Sequence, residues 1–182
     1  MPASTKSICY SIILMLSSFQ FGFVLNYGGL PIESLKSKYP EWNYTKDKTK
    51  IDFFINFASL FGSFGGFAIR FLCLLIPGRR ALFTFCFFNF IFWLLYLFLS
   101  PTMLVLGIVL RSLQGLITGG TACLTPILMT NIASDDTIGM FGCINQLGIV
   151  IGMVFFSFIG SFVDYKIMAG LGAIFSALFC GL

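Results

Sequence analysis

Few residues in this chain have the means to do chemistry, and most of them lie between Arg111 and Gly160. Arg111, Gln114 and Gln146 carry a cation and two amides into long apolar stretches joined by a polar hinge at Asn131 to Thr137. A charge inside an apolar membrane helix costs several kcal/mol unless it faces acceptors, so Arg111 should turn toward neighbouring helices. If the helix starts nearer Val109, Arg111 rests at the outer interface instead. Gln146 offers a donor and an acceptor, which matches a hydroxyl that gives and takes hydrogen bonds. Ile149 and Val150 follow three and four residues later, on the same helical face. An amide beside aliphatic side chains suits the polar rim and apolar face of a pyranose; it serves equally well as an interhelical hydrogen bond. Gly115 and Gly119 stand four and eight residues after Arg111 and give a smooth strip for another helix. Pro126 then removes one backbone hydrogen bond and bends the helix. A bent, glycine-faced helix beside a polar centre suits a protein that rocks between states.

Other chemistries lack their residues. The chain has no histidine, the commonest general base and proton relay. Its six cysteines, Cys9, Cys73, Cys86, Cys123, Cys143 and Cys180, all fall in apolar stretches without the close spacing of a metal knuckle, and read as small buried hydrophobes. Asp135 and Asp136 adjoin on the hinge, with no nucleophile or ligand set for a site at membrane depth. The expectation is a protein that is not an enzyme and needs neither cofactor nor metal. The net charge of +4 comes largely from lysines clustered in one loop, so nucleic acid is not an expected partner.

The elements that position these residues are membrane helices. Hydrophobic residues make up 58% of the 182 positions and charged residues 10%, too few polar groups to cover a soluble surface. The apolar runs reach the roughly 20 residues that cross a bilayer. Spans are expected at about 8–30, 53–76, 81–99, 103–130, 139–160 and 167–182, the last stopping short. The first carries Ser17, Ser18, Gln20 and Asn26, so it faces other helices or a cavity, or else is a poorly hydrophobic anchor. Pro31 closes it. The long hydrophilic loop, Glu33 to Asp52, holds Lys36, Lys38, Lys46, Lys48 and Lys50, and Asn43-Tyr44-Thr45 is a glycosylation acceptor there. The second span carries Gly62, Gly65 and Gly66 for close helix contact, and the third, almost wholly Phe and Leu, faces lipid. Arg79 and Arg80 in the turn before it argue for a cytoplasmic amino terminus, whereas the loop lysines argue against it. A glycan at Asn43 would place that loop outside.

Taken together, these strings resemble the first half of a sugar porter of the major facilitator superfamily, and most resemble the animal facilitative glucose transporters. Gln20-Phe21-Gly22-Phe23 with Pro31, Gly62-Ser63-Phe64, and Gly78-Arg79-Arg80 are similar to the family's first two helices and the cytoplasmic loop that follows. Arg111, Gly115, Gly119 and Pro126 repeat its fourth-helix spacing, and Gln146-Leu147-Gly148-Ile149-Val150-Ile151-Gly152 is nearly its fifth-helix string. The likeness covers nearly the whole chain. It implies an all-α membrane protein, a six-helix amino-terminal bundle that needs a second bundle to move a hexose by alternating access. Within it, Gln146 matches a position that hydrogen-bonds the sugar and Ile149 a neighbouring cavity position. Gln20, polar in the first span, joins them as a substrate-binding candidate. Arg79 and Arg80 match arginines that latch the outward-open state, and Asn43 matches the glycosylated loop of a plasma-membrane protein.

Departures accompany the likeness. Asn131 stands where the family has a glutamate, Ser134 replaces its proline and Ile138 its arginine. Val24 and Leu25 replace polar residues of the first helix. Asp135 and Asp136 are candidate substitute partners for Arg79 or Arg80. With no intramembrane carboxylate to carry a coupling ion, facilitated diffusion is expected rather than symport. A non-transporting membrane protein (sensor, docking partner or remnant) is the competing reading.

Overall fold

The computed structural model of the protein describes residues 5–41, 43, 45–133 and 137–181. Its regular elements are all helices, with no strand among the described residues. The helices are α1 (Thr5–Asn26), α2 (Gly29–Lys38), α3 (Lys48–Leu75), α4 (Gly78–Tyr96), α5 (Leu104–Ile132), α6 (Ile138–Gly160) and α7 (Tyr165–Gly181), with a 3-10 turn at Pro101–Met103 before α5. Among the described residues, five helices are long and apolar enough to cross a membrane: α1, α3, α4, α5 and α6. The apolar part of α7, Tyr165–Cys180, is shorter.

The short helix α2 corrects the reading of Pro31. That residue does not end the first helix, which stops at Asn26. It sits in the first turn of α2, where a missing N–H costs nothing because the helix has no partner for it. Its ring is buried together with Ile32 and Leu35, so part of the hydrophilic loop is anchored to the bundle. Likewise, Gly78-Arg79-Arg80 is the first turn of α4 rather than a loop, with Pro77 as its N-cap.

The helices pack in three pairs. Parallel neighbours α3 and α5 meet along glycines: a side chain at Gly115 would collide with the Ala58 backbone, and one at Gly119 with Gly62. Helices α1 and α6 also run parallel; there Gly22 lies on the Ile149 carbonyl and Gly152 on that of Phe19. Such close approach replaces the hydrophobic drive that is missing between helices in lipid. The antiparallel pair α4 and α7 closes the back, with Gly172 against the Trp93 ring. Set out as two units, α1-α3-α4 and α5-α6-α7, the first helix of each pairs with the second of the other, and the two third helices pair together. The units run in opposite directions, since α1 and α5 are separated by an odd number of crossings. This is the contact pattern of an inverted repeat.

Aromatic rings fill the end of the bundle nearest α2. Tyr27 and Trp93 stack edge-on at 4.8 Å, and Phe23 meets Phe156 at 4.9 Å. The lipid-facing reading of the third span holds for Phe83, Phe87, Phe88, Leu94 and Leu95, which are exposed. It fails for Cys86, Asn89, Trp93 and Tyr96, which α4 buries. The cysteine reading also needs correction. Cys86 is buried, but Cys9, Cys123 and Cys143 lie on the outer surface of the bundle.

Candidate functional site

A chain of buried polar side chains runs through the bundle. Arg111, two turns into α5, is fully buried, which removes the alternative of an interfacial position. Its Nη1 donates to the Val24 carbonyl at 3.0 Å and to Gln114 Oε1 at 3.4 Å, and its Nε donates to the Phe54 carbonyl at 3.4 Å. The guanidinium also lies 5.8 Å from the centre of the Phe54 ring. Val24 belongs to the last turn of α1, at the negative end of the helix dipole, and its carbonyl also accepts the Tyr27 N–H at 3.3 Å. A helix terminus, two further acceptors and a ring face thus do the work of a counter-ion. No described carboxylate pairs with Arg111; an ion pair at the surface joins Lys50 to half-buried Asp47 at 2.8 Å. Arg111 and the Tyr96 hydroxyl lie close enough to interact, and neither Nη2 nor that hydroxyl meets full hydrogen-bond geometry with any described group.

From Arg111 the chain continues through Gln114. Gln114 Nε2 donates to Asn89 Oδ1 at 3.1 Å. Asn89 Nδ2 donates to Gln20 Oε1 at 2.8 Å and to Ser176 Oγ at 3.2 Å. Ser176 Oγ in turn donates to Gln20 Oε1 at 3.2 Å. Four helices, α1, α4, α5 and α7, are tied by these bonds. A second set ties α1 to its neighbours: Thr125 donates to Ser17 at 3.1 Å and Ser18 to Asn145 at 2.5 Å.

The three residues read as substrate contacts do not gather in one place. Gln20 is buried, with its oxygen taken by α4 and α7 and its Nε2 unpartnered. Gln146 is exposed on α6, and Ile149, one turn on, is half-buried beside Gly22 of α1. Asn145 and Gln146 divide the two uses of an amide between them. Asn145 turns inward to Ser18, whereas Gln146 makes no bond inside the bundle. Further along α6, Asn26 of α1 donates to the Met153 carbonyl at 3.0 Å and to Ser157 Oγ at 3.1 Å.

Helix α3 adds an exposed polar stripe that the sequence reading passed over. Asp52, Asn56, Ser59 and Ser63 are spaced four, three and four apart and are all exposed. At 100° per residue they form one stripe about a third of a turn around the helix from the Ala58 and Gly62 face that packs on α5. The signal was present in the spacing, but phenylalanines between these residues masked it.

Arg79 and Arg80 are exposed in the first turn of α4, the positive end of its dipole, where cations are disfavoured. Arg79 lies over the Tyr10 ring at 5.8 Å. Asn131 is exposed at the end of α5. Ser134, Asp135 and Asp136, the last two expected as substitute partners for these arginines, fall outside the described residues. Helix α5 continues through Pro126 to Ile132. Asn43 is exposed, and its Oδ1 accepts the Lys46 N–H at 3.1 Å.

Residues 10–182 match the family model described as sugar (and other) transporter. The chain is similar to a curated protein of Arabidopsis thaliana, "Sugar transporter ERD6-like 6", with 28% identity over 178 residues, covering 93% of this chain and 34% of that protein. In structure it is similar to the xylose transporter XylE from E. coli in its inward-open conformation, with a TM-score of 0.82 and 17% identity over 96% of this chain and 46% of that one. The chain thus spans about a third and about half of these two proteins.

Proposed function

We propose a function from one premise: this chain belongs to the sugar (and other) transporter family. Its fold is the all-α amino-terminal bundle of the major facilitator superfamily, and it is an integral, multi-pass membrane protein. In this reading, residues 1–182 form one half of a carrier that moves a hexose such as glucose by alternating access. A second six-helix bundle closes the path across the open face. In this reading the carrier works at the plasma membrane in the manner of the animal facilitative glucose transporters.

One observation carries the sugar-contact role. Gln146 keeps both halves of its amide free on an exposed face, while its neighbour Asn145 is consumed inside the bundle. Half-buried Ile149 supplies an apolar wall one turn away. Gln20 acts from behind, holding α1 in register with α4 and α7 through its shared oxygen. Arg111 fixes the end of α1, the Gly115 and Gly119 strip lets α3 and α5 move as one body, and Pro126 loosens the far end of α5. Arg79 and Arg80 latch the cytoplasmic side, and Asn43 carries a glycan on the opposite side. The polar chain around Arg111 contains no carboxylate to take up and release a coupling proton, which supports facilitated diffusion. Asn131, in place of an acid near Arg79, supports the competing reading of a non-transporting sensor, docking partner or remnant.

The test is hexose uptake into vesicles holding the native polypeptide and its Gln146→Ala variant. Loss of one hydrogen-bonding amide predicts a fall of about tenfold in kcat/KM, equivalent to about 1.4 kcal/mol. Uptake unchanged by the substitution sinks the sugar-contact role.

A further inference from the structure

A cavity of about 530 Å³ opens where the start of α1, the start of α4 and the ends of α5 and α7 meet. It is separate from the face that carries Gln146 and lies within the size range of roughly 300–1,000 Å³ typical of small-molecule sites. Its walls are largely apolar: Ile13 and Leu14 from α1, Leu82 and Phe83 from α4, Leu128 from α5, Phe179 from α7. Polar chemistry enters from Arg79, the Tyr10 phenol and the Asn131 amide. A hexose, polar around its whole rim, would leave most of its hydroxyls unmatched in such a cavity. An amphiphile with one anionic end would not.

Charge selects the same ligand. The described charged side chains at this end of the bundle are Arg70, Arg79 and Arg80, all exposed, and none forms an ion pair. The described carboxylates, Glu33, Glu41, Asp47, Asp52 and Asp164, belong to the opposite end. In the sequence, Lys6 adds a fourth cation here, and Asp135 and Asp136 add two carboxylates, so the end stays net positive. Tyr10 holds Arg79 by its ring face, 5.8 Å from the guanidinium carbon, which leaves the guanidinium donors unspent. An arginine fork presents those donors in the geometry that a phosphate accepts.

We infer that this cavity binds an acidic phospholipid, its phosphate on Arg79 and Asn131 and an acyl chain against Leu82, Leu128 and Phe179. The site stands independently of what the bundle transports. The bound lipid supplies the anion that the position of Asn131 does not, so occupancy pins the starts of α1 and α4 to the ends of α5 and α7.

The experiment measures binding directly. Purified protein in neutral detergent is titrated with phosphatidylserine, with phosphatidylcholine and with inorganic phosphate, and bound lipid is counted by native mass spectrometry. Phosphatidylserine should bind tighter than phosphatidylcholine, and inorganic phosphate should not displace it at equal concentration. Arg79→Gln should weaken phosphatidylserine about fivefold, the effect of one cation at a lipid surface. Asn131→Asp should weaken it at least as much by giving Arg79 an internal partner. Arg70→Gln, which removes the same charge outside the cavity, should have less effect. Equal losses in Arg70→Gln and Arg79→Gln would reduce the attraction to a diffuse surface field and overturn the site. So would displacement by phosphate alone, or no preference for the acidic lipid. Hexose uptake plays no part in the readout, so failure of this site and failure of the transport reading are told apart.

Discussion

Replacing Arg111 tests how the bundle tolerates a buried cation that has no carboxylate beside it. Arg111→Met removes the charge and keeps much of the side-chain length. It leaves Gln114 Oε1 without a donor, at about 1–3 kcal/mol, whereas the Val24 carbonyl keeps the Tyr27 N–H and the Phe54 carbonyl keeps its place in the α3 ladder. One offset applies: the roughly 3 kcal/mol cost of a cation at membrane depth disappears. The net change for methionine should therefore lie within about 2 kcal/mol of zero. Arg111→Lys keeps that cost but reaches fewer acceptors, losing two charge-assisted bonds of about 1.5–3 kcal/mol each. Lysine should thus be worse than methionine by about 3–5 kcal/mol. At roughly 2–4 °C per kcal/mol for a chain of this size, the gap in Tm should be 6 °C or more, taking the order of magnitude. Thermal unfolding in detergent, followed by the fluorescence of Trp93 and Trp42, reads it. A methionine variant clearly less stable than the lysine variant would refute the reasoning, because it would mean that an anion is paired with Arg111 after all.

Gly119→Val should separate α3 from α5, since its side chain meets the Gly62 backbone, and should cost at least about 1–3 kcal/mol in the same melt. Asn89→Leu should cost about 2 kcal/mol by stranding Gln114 Nε2, and adding Gln114→Leu should recover part of the loss. A double variant that merely sums the two single losses would contradict the network. Asn43→Gln should abolish a mobility shift that glycosidase treatment also removes in the native protein. An unchanged band in both experiments would withdraw the glycan and leave orientation to the arginines alone. A blot of deglycosylated native membranes with antibody to the Glu33–Asp52 loop should show a band more than twice the 20.2 kDa of these residues. A band near that mass favours the docking or remnant reading.

The long helices were legible because their signal is local: runs of apolar residues bounded by Pro, Gly and charge. Legibility failed where local signals conflicted. Pro31 reads as a stop after an apolar run, yet the chain had already turned at Tyr27 and Gly28 and used the proline to begin α2. Lys48 and Lys50 read as loop, but polar residues fit a helix that emerges from the membrane, and α3 begins there. Arg111 and Gln146 were visible as polar residues in apolar spans, and the structure buries the first and leaves the second exposed. The partners of Arg111 were not visible. Two are backbone carbonyls, which no side-chain pattern encodes, and Asn89 lay hidden as one amide in a run of phenylalanines. For Gln20, residue type marked a polar role, but its face was fixed by α4 and α7, 69 and 156 residues away along the chain.

The central claim is that this bundle belongs to a hexose carrier that needs no coupling ion. Counterflow tests it most directly: proteoliposomes of the native polypeptide are loaded with unlabelled glucose and diluted into labelled glucose. A transient overshoot of label is expected, persisting with a protonophore present and shrinking in the Gln146→Ala variant. No overshoot above protein-free liposomes, for glucose or for any other hexose, would contradict it.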